Sequence, residues 1–232
     1  MVKGVMFDFS GTLLRVESTE EWLRAAAPDA AGDGAAFAGL VRRLAEYGAL
    51  PGGPPPRRVP DRLRRLWDER DLSADGHRAA FTGLIAEAGL PAEQARALYD
   101  RHRDPAAWRP YPDTAPTLRE LRRRGVPVAV VSNIGWDLRP VFRAHGLDGL
   151  VDAYVLSFEL GVHKPDPAIF RVACDALGLP PSEVLMVGDS PSADAGAAAL
   201  GCPVHLVGHL PADERPAALA PVLDLLDGED AA

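Results

Sequence analysis

Val2-Lys3-Gly4-Val5-Met6-Phe7-Asp8-Phe9-Ser10-Gly11-Thr12-Leu13 is the stretch on which the fold turns. Residues 2–9 form a short, mostly apolar run, and Gly11 follows as a turn residue. A run of this length before such a breaker fits a buried β-strand. The carboxylate where the strand ends has two explanations. An Asp close to a Gly often caps a turn. In an open parallel sheet, functional groups also gather just beyond the carboxyl ends of the strands. The stretch alone leaves both open.

Working outward, residues 17–108 change character. Trp22, Leu23 and Ala26 share a helical face, as do Phe37, Leu40, Val41 and Leu44. Leu63, Leu66 and Trp67 repeat the spacing, and so do Phe81, Leu84, Ile85 and Ala88. Residues 51–56, Pro-Gly-Gly-Pro-Pro-Pro, interrupt them as a loop. No strand is expected here. From Tyr111 onward helices and strands alternate. Helices are expected at 114–124, 138–145, 167–177 and 193–200, with a final one at 216–226. Strands are expected at 126–131, 153–156, 184–187 and 204–207. This alternation implies an α/β fold with a Rossmann-like parallel sheet covered on both faces. Residues 1–16 and 109–232 would form that core, with 17–108 an all-helical insertion.

The chain has 232 residues and a formal net charge of -8, which argues against a broad nucleic-acid-binding surface. No apolar run approaches membrane-spanning length, and the N-terminus lacks a signal-peptide pattern, so a cytoplasmic protein is expected. Cys174 and Cys202 are expected as buried free thiols. The chain carries 23 arginines but only two lysines, Lys3 and Lys164, and Asn133 is its single asparagine. Where a lysine or asparagine is kept, a specific need is plausible.

Polar residues collect at the expected strand ends: Asp8 and Ser10, Ser132 and Asn133, His163 and Lys164, and Asp189, Ser190 and Asp194. Each has an ordinary structural explanation. Ser132 suits a turn, Lys164 a solvated surface, and Asp194 a helix cap. Taken together, in this order and spacing, Asp8-Phe9-Ser10-Gly11-Thr12-Leu13, Val131-Ser132-Asn133, residues 161–170 and Val187-Gly188-Asp189-Ser190 with Asp194 carry a resemblance. The chain resembles the haloacid dehalogenase-like hydrolase superfamily, in its helical-cap (C1-type) branch. The 17–108 insertion would be that cap.

The resemblance implies a hydrolase of phosphatase type, with Asp8 as nucleophile forming an aspartyl-phosphate. It implies Mg²⁺ held by Asp8, the Ser10 main-chain carbonyl and Asp189, with Asp194 binding directly or through water. Magnesium favours such oxygen ligands. Ser132, Asn133 and Lys164 would bind phosphate oxygens, and Lys164 would also serve the nucleophile. His163 is expected to shape its loop. The substrate would be a small phosphorylated molecule.

One position departs from the pattern. Phosphatases of the family place a second aspartate two residues after the nucleophile, as general acid and base. Ser10 stands there, and a hydroxyl is a poor substitute, since such proton transfer is worth roughly 10²–10⁴-fold. The alternative is therefore a slow or catalytically silent relative that binds phosphorylated ligands or a protein partner. The acidic pair Asp189 and Asp194 argues against a haloacid dehalogenase. The absence of lysine from residues 17–108 argues against a phosphonatase using a cap Schiff base. Cap arginines Arg42, Arg43, Arg57 and Arg58 are expected as solvated charges, and Trp22, Trp67 and Trp108 as packing.

Overall fold

The structure is a computed structural model and describes residues 1–32, 34–49, 56–208, 210, 214–215 and 217–227. Its centre is a five-stranded sheet in the order β5-β4-β1-β6-β7, with all pairings parallel. The strands are β1 (Gly4–Phe7), β4 (Val128–Ser132), β5 (Ala153–Leu156), β6 (Val184–Gly188) and β7 (Val204–Leu206). β1, β4 and β6 are buried along their whole length, as central parallel strands must be. Val5 and Phe7 of β1 point into one apolar layer with Val130, Phe142, Leu185 and Val187. Met6 points into the other with Val131, Ile169, Phe170 and Met186.

Helices α6 (Thr114–Arg123), α7 (Arg139–Ala144), α8 (Ser157–Leu160), α9 (Pro167–Leu177) and α10 (Ala220–Asp227) belong to this half. Between residues 17 and 108 lie α1 (Thr19–Ala26), α2 (Ala35–Glu46), α3 (Asp61–Asp68), α4 (Ala74–Glu87) and α5 (Ala92–His102). Their apolar faces form a separate cluster around Trp22, Leu44, Leu63, Leu84 and Leu98. Ser18 opens α1 with a capping box: its hydroxyl accepts from Glu21 N while the Glu21 carboxylate accepts from Ser18 N. Residues 51–55 of the expected loop lie outside the described residues.

Several expectations shift. A two-stranded antiparallel ribbon, β2 (Leu14–Val16) with β3 (Trp108–Pro110), closes the base of the helical segment. Strands of three residues are too short to show an alternating pattern, and β3 starts on Trp108, where only helix was expected. β4 begins at Val128 because Pro127 has no N–H to give the sheet, although its carbonyl still accepts from Val5 N. Residues 194–200 form a 3-10 segment in place of an α-helix, with Asp194 N bonded to Ser190 O. Leu66 is exposed while Leu63 is buried and Trp67 half-buried, so the inward face of α3 is the pair four residues apart. Cys174 and Cys202 are buried free thiols, their sulfurs 4.0 Å apart.

Among the described residues, no helix is long and apolar enough to cross a membrane.

Candidate active site

The main chain of Asp8 is still held by the sheet: its N–H donates to Val187 O over 2.8 Å. Asp8 is thus tied to β6, whose own end delivers Asp189. Opposite, the loop after α8 carries Lys164. Its ammonium donates to Asp8 Oδ1 over 2.7 Å and to Asp194 Oδ1 over 2.6 Å. Carboxylate oxygens of Asp8, Asp189 and Asp194 lie within 4.8 Å of one another. Four residues from three distant stretches of chain therefore share one small volume at the carboxyl edge of the sheet.

That volume is nearly dry. Asp8 is 7% exposed, Lys164 3% and Asp194 0%. Burial pushes the Asp8 carboxyl up, to about 7, against the pull of the Lys164 ammonium, and Asp194 and Asp189 push the same way as burial. Burial alone would lower the Lys164 ammonium, but the Asp8 and Asp194 carboxylates overcome it and hold the group above the ordinary lysine value. Three carboxylates and one ammonium carry two excess negative charges when all are ionised. A divalent cation would balance them.

The donor set suits a hard cation in other ways as well. Hydrogen bonds in the turn after β1 run from Leu14 N to Phe9 O and from Gly11 N to Leu14 O. They leave the Ser10 carbonyl without a main-chain donor among the described residues. Both Asp194 oxygens are engaged, one by Lys164 and the other by Ser190 N at 2.9 Å. Asp8 is engaged in the same way, by Lys164 and Thr12, so Asp194 would reach a cation directly or through water.

Neighbouring residues fix these groups in place. The Asn133 side chain clamps the Lys164 main chain in both directions: Nδ2 donates to Lys164 O over 2.9 Å, and Oδ1 accepts from Lys164 N over 2.7 Å. Its amide is spent on positioning the lysine. Any phosphate contact at this strand end falls to the buried Ser132 hydroxyl and to main-chain N–H groups. His163 Nδ1 sits 2.8 Å from Lys164 O and so belongs to the loop's own bonding. Gly188 is needed for space, because a Cβ there would meet the Asp194 carboxyl at 2.2 Å. The Lys164–Pro165 peptide is cis.

Sequence reasoning missed two supports. Thr12 Oγ1 donates to Asp8 Oδ2 over 3.3 Å from a fully buried position. Arg215 donates to Gly11 O and Thr12 O, pairs with Asp113, and stacks 3.3 Å above the Tyr111 ring centroid. It braces the turn after β1 from the C-terminal part of the chain, and no local pattern announces such a contact. Ser10 lies between these supports with its hydroxyl buried and without a hydrogen-bond partner among the described residues.

Other candidates fall elsewhere. Arg42, Arg43, Arg57 and Arg58 line a hollow of about 900 Å³ that includes none of the four central residues. Trp22 packs in the helical cluster and donates from Nε1 to Leu98 O, and Trp108 donates to His102 O. Arg70 stacks on Trp67.

Known proteins resemble this chain along its length. A family model for haloacid dehalogenase-like hydrolases matches residues 2–201. Phosphoserine phosphatase of Thermus thermophilus is 38% identical over 52% of this chain, a match spanning 49% of the relative. (S)-2-haloacid dehalogenase 4A of Burkholderia cepacia is 35% identical over 82% of this chain and 75% of the relative. Among solved structures, a phosphatase from Thermococcus onnurineus superposes with a TM-score of 0.61 at 27% identity, covering 98% of this chain and 99% of that one. With its parallel core and strand-end carboxylates, this chain belongs to the haloacid dehalogenase-like hydrolase family.

Proposed function

We propose that the protein is a Mg²⁺-dependent hydrolase of a small phosphate ester, working through an aspartyl-phosphate on Asp8. One observation carries this: a trio of carboxylates, Asp8, Asp189 and Asp194, of which Asp8 and Asp194 are buried and bridged by Lys164. Phosphatases among the relatives support the ester chemistry. Dehalogenases are also among them, but a second and third carboxylate beside the nucleophile suit a cation and a phosphate better than a haloacid.

Each residue has a task in this scheme. Asp8 attacks phosphorus with a carboxylate oxygen. Lys164 holds Asp8 in line and neutralises charge on the transferring phosphoryl group. The Ser132 hydroxyl and adjacent N–H groups receive phosphate oxygens. Asp8, Asp189 and the Ser10 carbonyl would hold Mg²⁺, with Asp194 binding directly or through water. The cation's contribution, when bound, is charge neutralisation between nucleophile and phosphate.

A slower relative remains the second reading, favoured by Ser10, whose buried hydroxyl stands where a carboxylate is usual. The two are separated by a phosphorylated-metabolite panel with Mg²⁺ or with chelator, and 2-chloropropionate alongside. Mg²⁺-dependent phosphate release supports the hydrolase. Chloride release without metal would replace it with a dehalogenase. Silence on every compound, with phosphate analogues still bound, would leave the slow relative.

A further inference from the structure

The helical segment holds a further buried carboxylate where it meets the core. Asp71 lies in a 3-10 turn, Arg70–Leu72, between α3 and α4, and is 7% exposed. Its place over the core is fixed by contacts on two sides. Ser157, the first residue of α8, donates its hydroxyl to the Asp71 carbonyl over 2.6 Å. The same hydroxyl accepts from Ile134 N at 2.9 Å. One serine thus joins Asp71 to Ile134, beside the strand end that carries Ser132 and Asn133. Farther along, His77 presses on Gly135 so closely that a Cβ at Gly135 would lie 2.1 Å from the His77 Cβ.

The immediate surroundings suit a group that exchanges protons. No described residue donates a hydrogen bond to either carboxylate oxygen. The nearest cation, Arg70 Nη2, is 3.2 Å from Oδ2, and His77 Nε2 is 3.8 Å from Oδ1. Behind it, His77 Nδ1 lies 2.9 Å from the Tyr99 hydroxyl. Burial raises the Asp71 carboxyl above its ordinary value, while Arg70, His163 and Lys164 oppose the rise. A carboxyl raised above its ordinary value keeps its proton to higher pH and can pass it on, as the Ser10 hydroxyl cannot.

Resting on the phosphate-ester reading above, we propose that Asp71 is the general acid and base for chemistry at Asp8, supplied by the helical segment in place of the residue that Ser10 lacks. In the first step an Asp8 oxygen bonds to phosphorus and the ester P–O bond breaks. The departing oxygen takes the Asp71 proton and leaves as the alcohol. In the second step Asp71 takes a proton from water while the water oxygen bonds to phosphorus. The bond between phosphorus and Asp8 breaks, releasing inorganic phosphate and restoring both residues. The groups facing Asp71 are Arg70 beside it, His77 on α4 with Tyr99 of α5 behind, and His163 and Lys164 from the core.

The test compares wild type, Asp71→Asn, Asp71→Glu, and Asp71→Asn combined with Ser10→Asp, all with Mg²⁺ and 4-nitrophenyl phosphate. Asparagine keeps the main-chain bond to Ser157. Asp71→Asn is expected to lower turnover about 10²–10⁴-fold. With a leaving group that needs little acid help, Asp8 should still be phosphorylated, so acid-quenched phosphoenzyme accumulates. Glutamate should restore part of the rate, and Ser10→Asp should restore turnover in the asparagine background. Unchanged turnover with no accumulation in Asp71→Asn would overturn the assignment while leaving the Asp8 mechanism intact. Absence of turnover and of phosphoenzyme in the wild type would remove both.

Discussion

Lys164 Nζ lies 2.7 Å from Asp8 Oδ1, and both residues are buried. The same ammonium reaches Asp194 Oδ1 at 2.6 Å, so a single point charge serves two carboxylates. A planar guanidinium has a different size and donor geometry and does not replace it. Lys164→Arg and Lys164→Met are both expected to lower kcat/KM for a phosphate ester by roughly 10²–10³-fold, the usual cost of losing a preorganised charge. Steady-state kinetics on folded variants check this. Arginine at wild-type rate would show that position and not chemistry is what matters there.

The carboxylate cluster predicts metal linkage. Mg²⁺ should raise the Tm of the wild type, because a ligand that binds only the folded state stabilises it. Asp189→Ala should weaken Mg²⁺ binding measured by calorimetry. Gly188→Ala should do the same without removing any ligand, because its Cβ would displace the Asp194 carboxyl from 2.2 Å away. Isotherms identical to wild type in both variants would remove the cation from this site.

Asn133 predicts a split between position and chemistry. Asn133→Ala leaves Lys164 N and O without the side-chain partners they now have at 2.7 and 2.9 Å. A loss of about 1–3 kcal/mol in urea denaturation is expected for stranding such a group. Turnover should fall with it, since the loop that aims Lys164 is loosened. Full stability together with lost activity would assign Asn133 to the substrate instead.

Two histidines predict acid sensitivity. His77 is held neutral by burial, then by Arg70 and Arg103, and its pKa falls to about 3. Burial holds His102 well below its ordinary value too, with His77 and Arg103 adding to the effect. An unfolded histidine protonates near 6.5, so below that pH the unfolded chain binds more protons. Stability present above about pH 6.5 is therefore lost as pH falls toward 3, by about 1.4 kcal/mol per unit for each imidazole. Urea midpoints between pH 7 and 5 measure the slope, and His102→Leu should make it shallower. The raised Asp8 carboxyl pulls the wild-type slope the other way, so the result that would contradict the buried neutral state is an identical slope in wild type and His102→Leu.

The sequence made some features legible and hid others, for physical reasons. Central strands such as β4 and β6 are buried on both faces, so their apolar runs are visible without alignment or partner. The short β2 and β3 are not, because three residues carry no period. Asp8, Lys164, Asp189 and Asp194 could be located because each follows a strand. That one lysine bridges two of them could not, since 156 and 30 residues separate the partners. Asn133 was noticed for its rarity, yet its two-way bond to Lys164 depends on how two loops meet. Asp71 sits in a helical stretch rich in charge, and only the Ser157 and Gly135 contacts reveal that it lies where that stretch meets the core.

The central claim is that Asp8 receives the phosphoryl group. The most direct measurement is mass spectrometry of protein acid-quenched during turnover of 4-nitrophenyl phosphate with Mg²⁺. The account predicts one added phosphoryl group on the N-terminal peptide carrying Asp8, absent without Mg²⁺ and absent in Asp8→Asn. Continued turnover by Asp8→Asn, or a phosphoryl group found on another residue, would contradict it.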